Sequence, residues 1–143
     1  MDDRFGPEFY ERHYFDPETR VIGPEEVSRL ARFVLAYLDY LAVDVETVLD
    51  LGCGVGLWRE ALEGLAPGVR YTGVETSDYL CERFGWERGS VVDFEAEAPA
   101  DLVVCQGVLQ YLPMRDAQRA MRRLGALTGG ALYLEVLTRE DWE

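Results

Sequence analysis

The chain has 143 residues, enough for one domain but not for two. Hydrophobic residues make up 48% of it and charged residues 29%, a composition typical of a folded globular protein. Its formal net charge of −13 disfavours nucleic acid and anionic membranes as partners, because both attract cationic surfaces.

The N-terminal third precedes the regular pattern of the core. Its first 20 residues are aromatic and charged and have no apolar run typical of a secretory signal, so we expect a flap or short helix over one end of the domain. Pro24 then opens a predicted helix with apolar residues on one face. We interpret residues 1–43 as an N-terminal flap and helix, and residues 44–143 as the core of the same single domain.

Short apolar runs alternate with helical patterns from residue 45 onward. The predicted strands are Thr47–Gly52, Val69–Glu75, Ser90–Phe94, Asp101–Gln106 and Ala131–Leu137. One predicted helix follows the first strand, a second begins at the N-cap Ser77, and a third covers Arg115–Ala126. A turn is predicted at Gly129 and Gly130, before the fifth strand. Apolar strands separated by helices predict a three-layer α/β fold with a doubly wound, mostly parallel sheet.

The segment VLDLGCGVG runs from a predicted strand into three glycines and then into a helix. Gly52, Gly54 and Gly56 permit a tight turn that a ligand can approach closely. A dinucleotide-binding GxGxxG turn would need glycine or alanine where this chain has Leu57, and Asp50 suits an ammonium group better than a pyrophosphate. The pattern therefore disfavours a ligand that places a pyrophosphate at this turn.

Further polar residues stand at the ends of the following strands. Glu75 can accept hydrogen bonds from both hydroxyls of a ribose. Asp93, predicted to close the third strand, can accept one from the exocyclic amine of adenine. Gln106 and Gly107 end the fourth strand, across the predicted cleft from the glycine turn.

Taken together, VLDLGCGVG, GVE, VVDF and DLVVCQGVLQYL resemble the class I S-adenosylmethionine-dependent methyltransferases, over Val45–Leu137. The resemblance implies a Rossmann-like sheet of order 3-2-1-4-5, S-adenosylmethionine as the cofactor, and methyl transfer to an acceptor. It also implies cofactor-binding roles for residues of four segments. These are Asp50, Gly52, Cys53 and Gly54 around the methionine part, Gly56 in the same glycine turn, Glu75 at the ribose, Thr76, Val92 (by its backbone) and Asp93 at the adenine, and Gln106 at the ammonium end.

The sequence departs from this family at its C-terminal end. The family's sheet normally finishes with an antiparallel hairpin, and we expect this hairpin to be missing here because the chain stops soon after the fifth strand. We expect the edge of that strand to be exposed or covered by a second copy in a homodimer.

The acceptor is expected to be a small molecule, met under a lid formed by residues 5–20. Aromatic side chains in that segment supply apolar surface with hydroxyl groups. His13, the one histidine of the chain, is the candidate general base. We interpret Cys53 and Cys105 as small apolar core residues, and the arginines of the helix at 115–126 as a solvated face. A single histidine also predicts that no metal site is present.

Two other functions remain open from the sequence. One is a non-catalytic or regulatory protein of the same fold that binds S-adenosylmethionine, favoured by the missing hairpin and by the absence of a recognisable acceptor motif. The other is a nicotinamide-dependent oxidoreductase, which Leu57 disfavours. The three cysteines have no CxxC spacing, which indicates reduced thiols and a cytoplasmic location.

Overall fold

The computed structural model describes residues 5–142, and the side chains up to residue 141. Its strands are β1 (Thr47–Leu51), β2 (Arg70–Glu75), β3 (Glu87–Arg88), β4 (Ala100–Gln106) and β5 (Thr128–Glu135). All neighbouring pairs are parallel, and the strands form one sheet in the order β3-β2-β1-β4-β5. The predicted doubly wound architecture and strand order are therefore confirmed.

Helices connect and cover these strands. They are α1 (Pro7–Tyr10), continued by a π-helical turn (Glu11–Phe15), α2 (Pro24–Tyr40), α3 (Leu57–Leu65), α4 (Asp78–Phe84) and α5 (Met114–Leu127). Short 3-10 helices cover Leu109–Tyr111 and Arg139–Trp142. Within residues 5–142, none of the helices is both long enough and apolar enough to cross a membrane.

Alternating residues of β1 and β4 point into two separate cores. Val48 and Leu102 pack under α2 and α3, whereas Leu49 and Val103 pack under α5 on the opposite face. Because both faces of the central strands are buried, most residues of these strands are apolar. The two exceptions in the buried set are Asp50 and Glu75, which are only 2% and 7% exposed.

The N-terminal ends of β1 and β4 are joined by side-chain hydrogen bonds. The Asp101 carboxylate accepts from the backbone N–H groups of Glu46 and Thr47, at 2.9 and 3.0 Å. The Thr47 hydroxyl in turn accepts from the backbone N–H of Asp101, at 3.0 Å. These bonds hold the pKa of the Asp101 carboxyl below its usual range, because they stabilise its charged form.

Two strand predictions need correction. Ser90–Phe94 does not form the third strand: this segment is a turn in which Phe94 N–H donates to the Ser90 carbonyl, at 2.8 Å. Val91 and Phe94, three residues apart, are its buried side chains, which is the spacing of a helical turn and not the alternation of a strand. The third strand is the two-residue β3 instead.

The fifth strand begins earlier than predicted. It follows α5 directly at Thr128, so Gly129 and Gly130 lie inside β5 and not in a turn before it. The register of β4 against β5 shifts between Ala100 and Leu102, which is where these glycines pair. A Cβ at Gly130 would lie 2.5 Å from a backbone oxygen of β4, so close backbone approach explains the glycine.

Candidate cofactor-binding site

The glycine turn leads from β1 into α3 with three left-handed residues. Gly52, Gly54 and Gly56 have φ angles of 74°, 57° and 83°, a conformation that residues with a Cβ rarely adopt. The backbone N–H of Gly52 donates to the Val74 carbonyl of β2, at 2.8 Å. A Cβ at Gly52 would lie 2.4 Å from Cγ2 of Val108, whereas a Cβ at Gly54 would have no neighbour within 4 Å. The turn is therefore packed at its start and open at its middle.

Trp86 supports the turn from below, and the sequence analysis did not identify it. Its indole N–H donates to the Gly54 carbonyl at 2.8 Å, and Arg59 lies 4.4 Å above the ring. Its ring fills the space that a Cβ would take at Gly56 and Gly73. Gly73 was the available signal, since a glycine inside a strand often marks the close approach of another group.

Glu75 ends β2 beside this turn, as predicted. Hydrogen bonds from the backbone N–H groups of Gly54, Thr76 and Ser77 favour its charged form, but burial outweighs them and raises the pKa of its carboxyl. Thr76, the next residue, is exposed. Glu75 and Gly54 thus bring an acceptor carboxylate and an open backbone segment to the same place.

Asp50 lies below the turn on β1 and is buried. Its Oδ2 accepts a hydrogen bond of 2.6 Å from the Tyr71 hydroxyl. Burial raises the pKa of Asp50 to about 7, and this hydrogen bond opposes the shift. Cys53, three residues further along the chain, is also buried, and burial raises the pKa of its thiol so that it stays protonated.

Gln106 ends β4 within a polar network that the sequence did not predict. Its Oε1 accepts from the Trp58 indole N–H at 2.8 Å, and its Nε2 donates to the Glu135 carboxylate at 3.3 Å. That carboxylate also accepts from the Tyr133 hydroxyl at 2.7 Å. The network fixes the Gln106 amide between α3 and β5.

Asp93 does not close a strand. It lies exposed in the turn that follows β3, and its neighbour Val92 is half-buried, with its backbone N–H donating to the Ser90 hydroxyl at 3.2 Å. The predicted position of Asp93 at a strand end is therefore wrong, although the turn still follows β3 at the carboxyl edge of the sheet. The structure brings Asp50, Glu75 and the three glycines together and leaves Asp93 at the periphery.

An N-terminal aromatic segment, residues 5–15, lies against this edge of the sheet. Tyr10 is buried with Cys53 and Leu80. Burial raises the phenol pKa values of Tyr10 and Tyr14, and the nearby Glu75 carboxylate adds to both shifts. Phe5 contacts the Tyr111 ring, with centroids 5.1 Å apart, which extends the cover towards the end of β4. The segment therefore spans from α4 to the 3-10 helix after β4.

His13 belongs to the same segment and is half-buried. Its ring lies 4.6 Å from that of Phe9, centroid to centroid. Among the described residues, no group of three or more His, Cys, Asp or Glu side chains is placed to hold a metal ion.

Two cavities are lined by residues other than those predicted to bind the cofactor. One of about 510 Å³ is a groove between α2 and α3, and one of about 260 Å³ lies beside Trp86, near Tyr71 and Gly73. None of the ten predicted cofactor-binding residues lines either cavity. The N-terminal aromatic segment covers the edge at which those residues meet.

A parallel five-stranded sheet with a glycine turn after β1 and a buried carboxylate at the end of β2 defines an α/β domain of the nucleotide-binding type. The family described as Methyltransferase domain matches residues 23–143, and the chain belongs to this family. The resemblance to class I S-adenosylmethionine-dependent methyltransferases is thereby confirmed.

Curated relatives share about a third of the aligned residues. The trans-aconitate 2-methyltransferase of Pseudomonas paraeruginosa (strain DSM 24068 / PA7) is 33% identical over 107 residues, which cover 69% of this chain and 38% of that protein. The ubiquinone biosynthesis O-methyltransferase of Xanthomonas campestris pv. campestris (strain B100) is 32% identical over 121 residues, which cover 71% of this chain and 49% of that protein.

Solved structures show the same fold. SAM-bound CalS10, an amino pentose methyltransferase from Micromonospora echinaspora, superposes with a TM-score of 0.63 at 22% identity and covers 73% of this chain and 48% of that one. The chain thus spans half or less of the length of these three proteins.

Proposed function

We propose that this chain binds S-adenosylmethionine at the carboxyl edge of its sheet and belongs to an enzyme that methylates a small-molecule acceptor. The observation that carries this proposal is the juxtaposition of the buried Glu75 carboxylate with the left-handed glycine turn. The residues present fit the cofactor, because the turn is open at Gly54 and a carboxylate that can accept from two hydroxyls lies beside it.

Each predicted residue then has a role in holding the cofactor. Glu75 accepts from the ribose hydroxyls, Asp50 attracts the ammonium group of the methionine part, and Gln106 caps that end of the site. Thr76, the Val92 backbone and Asp93 contact the adenine, with Asp93 at the exposed rim. The cofactor supplies an electrophilic methyl group, so the main tasks of the protein are to align donor and acceptor and to exclude water.

The proposed lid over the acceptor is residues 5–20, which include the N-terminal aromatic segment. Tyr10 and Tyr14 face Glu75, so the segment must adjust when a cofactor occupies this edge and can then cover it. Two relatives named for trans-aconitate and for ubiquinone biosynthesis support a small-molecule acceptor. For an acceptor that loses a proton, His13 is the proposed base, and His13→Gln should lower turnover without changing cofactor affinity.

Isothermal titration calorimetry with S-adenosylhomocysteine tests the cofactor site. Glu75→Ala should weaken binding by about 10- to 100-fold, because a hydrogen-bonded carboxylate contributes about 1.5–3 kcal/mol. Glu82→Ala, which removes the same charge from an exposed position on α4, is the matched control and should bind like the wild type.

Three results would contradict parts of this proposal. Absence of binding in the wild type would refute the function, and equal affinities in Glu75→Ala and wild type would remove Glu75 from the site. Binding without turnover on a broad panel of acceptors would favour the non-catalytic alternative.

We also propose a cytoplasmic location and a homodimer, each from a single feature. Cys53, Cys81 and Cys105 are free thiols, which suits a reducing compartment. Within residues 5–142, β5 pairs with β4 alone, and its free edge offers a place for a second copy. Light scattering over a concentration series tests the dimer, and a mass that stays at one chain would refute it.

A further inference from the structure

Tyr71 and Asp50 form a buried pair on neighbouring strands. Asp50 of β1 lies opposite Gly73 of β2 in the ladder, and Tyr71 is two residues before Gly73 on the same face. The Tyr71 hydroxyl reaches diagonally across the two strands and donates to Oδ2 of Asp50, at 2.6 Å. Among the described residues, Tyr71 is the one hydrogen-bond donor to the Asp50 side chain.

The groups around Asp50 leave Tyr71 as its main source of stabilisation. Four other titratable or charged groups of the described residues lie around the Tyr71–Asp50 pair. They are Glu75 of β2, Cys53 of the glycine turn, Cys105 of β4 and Arg59 of α3. Glu75 disfavours a charge on Asp50, and both thiols are buried and neutral. Arg59 acts on Tyr71, and its guanidinium lies over the Trp86 ring.

We propose that Tyr71 is a positioning residue that holds Asp50 in its ionised form for the ammonium group of the cofactor, so that cofactor binding strengthens as the pH rises through neutrality. This inference rests on the proposed function, because it requires a ligand with an ammonium group near Asp50. The hydroxyl of Tyr71 remains a donor, since burial and the nearby carboxylate raise its own pKa.

The direction of the effect follows from the charge on Asp50. With a pKa of about 7, the carboxyl is about half ionised at neutral pH. A ligand that prefers the carboxylate binds more weakly at low pH, reaching its full affinity only above that pKa. Without the Tyr71 hydroxyl, the pKa of Asp50 rises further, because a hydrogen bond to the charged form is lost.

The test measures S-adenosylhomocysteine affinity by calorimetry between pH 5.5 and 8.5 in the wild type and in Tyr71→Phe. Wild-type affinity should rise by about tenfold or more across this range. In Tyr71→Phe the rise should move to higher pH by about one pH unit, which lowers affinity at pH 7 by about fivefold. Tyr40→Phe, the same change at an 82% exposed position, should follow the wild type.

Two further measurements separate positioning from a general structural effect. In Asp50→Asn the affinity for S-adenosylhomocysteine should be low and independent of pH. The double variant Asp50→Asn, Tyr71→Phe should also show no pH dependence. Methylthioadenosine, which lacks the amino acid part, should bind with an affinity that does not follow this pH dependence.

The outcomes distinguish this inference from the proposed function. If the wild type binds S-adenosylhomocysteine at no pH, the proposed function fails and the inference fails with it. If it binds with the same affinity at every pH, or if the Tyr71→Phe profile superposes on that of the wild type, the inference is overturned and the function stands. An Asp50→Asn variant whose affinity still rises with pH would also overturn it, and this variant retains Tyr71 should Tyr71→Phe fail to fold.

Discussion

Gly52→Ala probes how tightly the glycine turn is packed at its start. With φ at 74°, a residue carrying a Cβ would adopt a left-handed conformation, which costs about 1–2 kcal/mol. The new Cβ would also lie 2.4 Å from Cγ2 of Val108, and overpacking of this kind costs about 1–3 kcal/mol. We therefore expect the free energy of unfolding to fall by about 2–5 kcal/mol.

Val108→Ala completes a double-mutant cycle with this substitution. Alone, it removes two methyl groups from a half-buried side chain and should cost about 1–2 kcal/mol. In the double variant the shortened side chain no longer opposes the Cβ at position 52. The combined loss should therefore be smaller than the sum of the single losses by about 1–3 kcal/mol.

Urea unfolding followed by circular dichroism measures all the energies in the cycle. Gly64→Ala is the control, because this glycine lies in α3 with open space around a Cβ, and it should raise stability by about 0.5–1 kcal/mol. Additive losses in the cycle would refute the contact with Val108. A Gly52→Ala variant as stable as Gly64→Ala would refute the argument from backbone conformation.

Three further variants test other contacts. Trp86→Phe loses the hydrogen bond to the Gly54 carbonyl and should lower the unfolding free energy in urea by about 1–3 kcal/mol while weakening cofactor binding. Asp50→Asn should flatten the pH dependence of stability. Because the folded pKa of Asp50 is raised to about 7, ionisation of this carboxyl should lower the stability of the cofactor-free wild type by on the order of 3 kcal/mol between about pH 4 and pH 7. Thermal melts across this range should show the loss in the wild type but not in the variant. Asp101→Asn should cost about 1 kcal/mol at pH 7 in urea unfolding. Since the folded pKa of Asp101 is lowered, this difference should start to shrink below about pH 4 and be lost as the pH falls through the folded pKa; a difference that stays constant as the solution is acidified would contradict the role of its charge.

The central strands and the glycine turn could be predicted because their signals are local. A strand buried on both faces is an apolar run, so the prediction of Thr47–Gly52 differs from the observed Thr47–Leu51 by one residue. The turn and the carboxylate of Glu75 followed from residue type and position in the same way. Both lie where the sequence indicated.

The third strand could not be predicted, because its residues carry no local signal. Glu87 and Arg88 are exposed and polar, and they form a strand through pairing with Val74 and Glu75 of β2. The apolar residues Val91 and Phe94, which follow β3, are buried although they lie in a turn. Their composition therefore resembles that of a strand. The contacts of Trp86 with Gly54 and of Tyr71 with Asp50 likewise join residues 32 and 21 positions apart, and they exist only after the sheet has formed.

The hydrogen bonds between Asp101 and Thr47 also determine which residues of β1 and β4 can face each other. A slip of one position along a strand moves every side chain to the opposite face of the sheet. For β1, such a slip would transfer Asp50 from the α3 side into the apolar core under α5, next to Val103 and Leu124. Because Thr47 and Asp101 bond reciprocally across 54 residues of sequence, only one alignment satisfies both groups. The correct placement of the buried carboxylate thus depends on an alignment set at the far end of its strand.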